Sequence, residues 1–162
     1  MKDKDANSGF LSHMAMALHE AEAAAARGEV PVGAVLIGPS GDVLAVAGNR
    51  MRERRDPTAH AEMEVIRAGA AKLGSERLVG CDLYVTLEPC PMCAAAISAA
   101  RIARLYYGAA DPKSGGVAQG PRVFSHPQCH HVPDVYDGIA EAEARALLQA
   151  FFKVRRGAGG DP

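Results

Sequence analysis

Thr86-Leu87-Glu88-Pro89-Cys90-Pro91-Met92-Cys93 is the run in which one apolar segment hands over to another. Upstream, Leu83, Tyr84 and Val85 continue the apolar character without alternation, which predicts a strand over 82–87 buried on both faces. Downstream, an alanine-rich stretch predicts a helix from Cys90 or Pro91 to about Ala100. Pro89 and Pro91 suit a helix entry, because a first-turn proline gives up no helical hydrogen bond. Arg104 to Gly108 then reads as the next strand. Strand, helix and strand in this order predict a right-handed crossover.

Working outward, Phe10 to Arg27 has a helical pattern, with Phe10, Met14, Ala17, Leu18 and Ala21 on one face and Gly28 as its stop. Val32 to Ile37 and Val43 to Ala47, joined by Pro39-Ser40-Gly41-Asp42, predict an antiparallel hairpin. Arg50 to Asp56 reads as a charged loop. Thr58 is the expected N-cap of a helix to about Leu73, burying Met63, Ile66, Ala70 and Leu73. The Gly- and Pro-rich segment 109–133 has no clear period, and a fifth short strand fits Val132 to Tyr136. Ile139 to Val154 closes the chain as an amphipathic helix. This order implies a three-layer α/β/α fold with a mixed five-stranded sheet and helices on both faces. The expected organisation is a disordered tail over 1–9, a single domain over 10–156 and a flexible tail over 157–162.

The crossovers bring the N-termini of the helices beginning near Ala59 and Cys90 to one sheet edge. His60, Glu62, Cys90 and Cys93 can then meet. Zinc takes imidazole nitrogen and thiolate in tetrahedral geometry, and a catalytic site keeps three protein ligands and an open position. His60, Cys90 and Cys93 are three such ligands, and a helix N-terminus favours the thiolates. Glu62 is placed beside an activated water as general base and then general acid. Other readings stay open at this point. Cys81 or Cys129 as a fourth ligand would make a structural site, and a zinc-stabilised binding module needs no catalysis. His126, His130 and His131 read as polar loop residues, with a second metal site as the lesser alternative.

Net charge is −1, so bulk charge does not mark a nucleic-acid binder. Local basic groups are Arg50, Arg52, Arg54 and Arg55; Arg101, Arg104 and Lys113; and Lys153, Arg155 and Arg156. If the fold brings these round one pocket, they form a rim for phosphates. No signal region opens the sequence, and no run is long enough to span a bilayer, so a reducing cytoplasm is the default.

With its apolar context, the constellation resembles the zinc-dependent nucleotide deaminase superfamily, and within it the bacterial tRNA-specific adenosine deaminase family. The resemblance covers about Phe10 to Arg156. It rests on Glu29-Val30-Pro31-Val32-Gly33-Ala34-Val35, Gly48-Asn49-Arg50, Asp56-Pro57-Thr58-Ala59-His60-Ala61-Glu62, Leu83-Tyr84-Val85-Thr86-Leu87-Glu88-Pro89-Cys90, Tyr107-Gly108-Ala109 with Asp111 and Lys113, and Phe151-Phe152. It implies a cytidine deaminase-like fold, one zinc per subunit on His60, Cys90 and Cys93, and Glu62 as the proton shuttle. It also implies that Asn49 bonds a flipped base, that Ala61 lines the pocket with its backbone, and that Asp111, Lys113 and Phe151 lie near flanking nucleotides. The implied reaction is hydrolysis of adenosine to inosine at the wobble position of a tRNA anticodon, by a cytoplasmic homodimer meeting through the alanines of 94–100. Gly120-Pro121-Arg122-Val123-Phe124-Ser125-His126-Pro127 departs from the family pattern, so no roles transfer there. Pro91-Met92 is shared with relatives acting on free purine bases, which sustains the alternative of a free base or nucleoside as substrate.

Overall fold

A computed structural model describes the main chain of residues 4–157 and the side chains of residues 13–157. A five-stranded sheet in the order β2-β1-β3-β4-β5 runs through the molecule. Its strands are β1 (Gly33–Ile37), β2 (Val43–Gly48), β3 (Asp82–Leu87), β4 (Arg104–Ala109) and β5 (Asp134–Tyr136). β1 is antiparallel to both β2 and β3, whereas β3, β4 and β5 are mutually parallel. The sheet is therefore mixed, as the element order implies.

Five helices cover it: α1 (Lys4–Ala26), a single turn α2 (Met51–Arg54), α3 (Ala61–Leu73), α4 (Pro91–Ala99) and α5 (Glu141–Gly157). Strand residues alternate between two cores. Ala34, Leu36, Leu83, Val85, Leu105 and Tyr107 pack toward Val65 of α3 and Ile97 of α4. Val35, Ile37, Tyr84 and Tyr106 face Met14 and Ala17 of α1. On that second face Tyr84, Tyr106 and Tyr136 stack across β3, β4 and β5, with ring centroids 4.4 and 4.9 Å apart. α1 lies against β1 with almost no clearance: a Cβ at Gly33 would sit 1.9 Å from the Ala17 carbonyl oxygen.

Several boundaries differ from expectation. α1 begins at Lys4, ahead of the expected helix start at Phe10; nothing there stops a helix, and Gly9 costs only about 1 kcal/mol within one. Phe10 falls outside the described side chains, while Met14, Ala17 and Ala21 are fully buried. Residues 1–3 and 158–162 lie outside the described chain, and 155–157 extend the last helix. Part of the charged loop is the turn α2. The N-cap of α3 is His60, not Thr58, because Thr58 is held in a turn by Asp56, whose Oδ1 accepts from the Thr58 N–H and hydroxyl at 2.8 and 2.7 Å. The buried residues of α3 are Ala61, Glu62, Val65 and Gly69, and Leu73 is exposed. Gly69 sets this phase: a Cβ there would lie 2.2 Å from Leu36 Cδ2, so the helix seats on its small residue.

Candidate metal centre and its pocket

Both halves of the centre sit where helices begin. His60 caps α3 and Cys90 caps α4, each with extended backbone and neither spending its side chain on a capping bond. Their side chains are free to converge, and Cys93, one turn into α4, joins them. Among the described residues these three form the only group of His, Cys, Asp or Glu side chains close enough to share an ion, with donor atoms all within 4.8 Å of one another. His60 Nδ1 lies 3.7 Å from Cys90 Sγ and 3.5 Å from Cys93 Sγ. Tetrahedral zinc, with bonds of about 2.0–2.1 Å to nitrogen and about 2.3 Å to sulfur, sets such edges at about 3.6 Å. Donor chemistry and spacing therefore both fit zinc.

The three groups hold one another's protons. A hydrogen bond with Cys93 is the main cause that brings the Cys90 thiol down to about 4, with His60 adding to it. The same bond, with burial, pushes Cys93 up. His60 is raised above its usual range, chiefly by Cys90. Cys81 and Cys129 take no part: Cys81 is buried in the core, and Cys129 Sγ lies 3.3 Å from Ser98 Oγ. His131 Nε2 meets the Ile102 carbonyl at 2.7 Å, a loop contact.

Glu62 is in the first turn of α3 and only 3% exposed. Burial pushes its carboxyl above the usual range, and His60 opposes that push. It lines a cavity of about 150 Å³ together with His60, Cys90, Asn49, Asp111 and Ser114. That is below the roughly 300–1,000 Å³ of sites for drug-sized ligands.

Asn49 ends β2, and its position is over-determined. Its N–H donates to Val32 O at 3.1 Å, and its carbonyl accepts from Arg27 at 3.0 Å. Its side-chain Oδ1 accepts the buried Ala61 N–H at 2.8 Å. That donor fixes which way the amide points and leaves the NH₂ group for a ligand. Ala61 is fully buried, and its N–H is committed to Asn49. Lys113 lies in an adjoining hollow of about 340 Å³ shared with Asp111, Ser114 and Phe152. Phe151 is absent from both cavities; it packs against Phe152 and carries the Arg155 guanidinium 4.7 Å above its ring.

The basic groups do not all gather. Arg104 opens β4 and pairs with Asp82 at the start of β3, at 2.7 Å. In parallel strands that is the end opposite the metal centre, about 17–20 Å away. Arg101 follows α4 on the same far side. Arg50 and Arg52 flank Met51 in sequence, and Met51 is part of the pocket wall.

Two buried glutamates had no assigned role from sequence. Glu29, 1% exposed, accepts the N–H groups of Arg52 and Glu53 and so holds α2 in place. Glu88, 2% exposed, accepts the N–H groups of Asp111, Val117, Ala118 and Gln119. The only available signal was a carboxylate beside an otherwise apolar run.

Residues 10–109 match the family model described as the cytidine and deoxycytidylate deaminase zinc-binding region. The chain is 61% identical over 143 residues to a tRNA-specific adenosine deaminase of Agrobacterium fabrum, covering 88% of this chain and 93% of that one. It is 41% identical over 144 residues to the Bacillus subtilis tRNA-specific adenosine deaminase, covering 89% of each. A structure solved in work on A-to-I editing by tRNA:A34 deaminases superposes with a TM-score of 0.83 at 61% identity, covering 85% of this chain and 99% of that one. A guanine deaminase from Bacillus subtilis superposes with a TM-score of 0.61 at 28% identity, covering 93% and 96%.

Proposed function

Because the chain belongs to the cytidine and deoxycytidylate deaminase family, and within it to the tRNA-specific adenosine deaminases, we propose that it converts adenosine to inosine at the wobble position of a tRNA anticodon. Water is consumed and ammonia released. The observation that carries this reading is the buried Glu62 carboxyl, set beside a His-Cys-Cys centre in a cavity sized for a single base.

His60, Cys90 and Cys93 hold zinc, which when bound supplies a Lewis acid that acidifies water. The Glu62 carboxyl takes a proton from the attacking water, delivers it to the adenine ring nitrogen, and then moves a proton to the leaving amine. The Asn49 NH₂ group donates to the base and fixes its orientation. The small cavity accepts the base only when it is turned out of the anticodon stack. Asp111 and Ser114 meet the sugar side, and Lys113 and the arginines of 50–55 meet phosphates.

Two copies of the chain are expected to pair through α4. Ala95, Ser98, Ala99, Pro121 and Val123 line a mostly apolar hollow of about 530 Å³ on that helix, and sedimentation velocity would show the dimer. Reduced zinc thiolates and a tRNA substrate suit the cytoplasm, and no helix among the described residues is long and apolar enough to cross a membrane.

The test is the purified protein offered an anticodon stem-loop, free adenosine, guanine and cytosine. Inosine from the stem-loop is the expected product. Turnover of a free base with none from the stem-loop would replace this reading by the small-substrate one.

A further inference from the structure

The cavity is closed on one side by the segment 110–119, which carries Asp111 and Ser114. Its main chain is organised round one side chain. Glu88 Oε1 accepts the Asp111 N–H at 3.1 Å, and Oε2 accepts those of Val117, Ala118 and Gln119 at 3.1, 3.0 and 3.0 Å. A carboxylate is an acceptor alone, and this one gives one oxygen to Asp111 and the other to three successive donors of the same segment. The packing leaves no slack. A Cβ at Gly115 would lie 2.5 Å from Glu88 Oε2 and 2.6 Å from the Asp111 carbonyl oxygen. The Gly116 N–H donates to Pro89 O at 2.8 Å. The segment therefore hangs on Glu88 and Pro89, directly before the ligand Cys90.

We propose that Glu88 is a positioning residue for substrate recognition: its buried carboxylate sets segment 110–119 in the shape that receives the nucleotide bearing the target base. This deepens the function proposed above and rests on it for the identity of the substrate. Glu88 lies in the cavity wall, but both of its carboxylate oxygens are engaged by the main chain of segment 110–119. Its loss should therefore act on substrate affinity and leave the chemical step alone.

Glu88→Gln keeps the shape and removes one acceptor oxygen. Whichever way the amide turns, an NH₂ group faces main-chain donors. Gly115→Ala disturbs the same segment from outside and leaves the carboxylate intact. Both variants and the parent protein are compared for zinc content, for kcat and KM on an anticodon stem-loop, and for amide hydrogen exchange.

In both variants KM is expected to rise at least tenfold, with kcat within threefold and one zinc retained per chain. Exchange at the amides of 111 and 117–119 should quicken at least tenfold, with β3 and β4 unchanged. An unaltered KM in either variant overturns the proposal, as does a fall in kcat at constant KM. Zinc lost from Glu88→Gln while Gly115→Ala keeps it also overturns it, because Glu88 would then serve the metal centre. If the parent protein makes no inosine, the proposed function fails, and the exchange rates with stem-loop binding still decide the role of Glu88.

Discussion

Asn49 is asked to do two things, and substitution separates them. Its oxygen satisfies the buried Ala61 N–H, and its NH₂ group is what remains for the base in the proposed reaction. Asn49→Ala leaves that N–H without a partner, at a cost of about 1–3 kcal/mol. A loss of several degrees in Tm should accompany the loss of activity. Unchanged Tm would mean that water or a shift of α3 replaces the bond. Glu62 behaves differently, because it sits beside the metal ligands without being one. Glu62→Gln should lower inosine formation by roughly 10²–10⁴-fold, the usual contribution of a general acid–base group, and keep the metal. Metal analysis beside a single-turnover assay checks both halves; full activity in the variant would remove Glu62 from the mechanism.

At the scale of elements, the hairpin and the crossover place the site, and close approaches hold them together. Gly33→Ala should push α1 off β1, because the new methyl meets main-chain atoms that cannot move aside; overpacking of this kind costs about 1–3 kcal/mol. Thermal melts would show it, with zinc affinity little changed, because α1 packs on β1, β2, β3 and α5. The strands were legible in the sequence because each is a short apolar run bounded by turn residues, and the metal ligands because His60, Cys90 and Cys93 carry their spacing in the chain itself. The phase of α3 was legible in part. Periodicity selects Met63, Ile66, Ala70 and Leu73, of which Ile66 and Ala70 pack against the core, whereas the fold seats the helix on Gly69 and buries the carboxyl-bearing Glu62. The cap at Thr58 was equally plausible locally, and Asp56 captured it. Segment 110–119 was hidden for another reason: its shape is dictated by Glu88, more than twenty residues away, and no local pattern records that. Phe151 and Arg104 show the same limit, since only the packing of α5 and the direction of β4 decide which way they face.

For the whole molecule, a net charge of −1 conceals an uneven distribution. Arg50 and Arg52 are chain neighbours of Met51 in the cavity wall, and Lys113 lines the adjoining hollow. Some of this charge is engaged internally, as in the Arg54–Glu64 pair at 3.1 Å. If three to four phosphates are met, affinity for a stem-loop should fall roughly 20- to 150-fold between 50 and 200 mM salt. Fluorescence anisotropy would measure it; a flat response would put the RNA elsewhere on the surface or exclude it. The order of elements along the chain has a consequence in time. His60, Glu62, Cys90 and Cys93 all precede residue 94, and the four strands that fasten them are complete by Ala109. Phe152 and Leu148, which wall the adjoining hollow, come some forty residues later on α5. Chains fold from the N-terminus as they leave the ribosome. A nascent chain thus has the His60, Cys90 and Cys93 cluster and Glu62 in hand while the wall of the adjoining hollow is still being made.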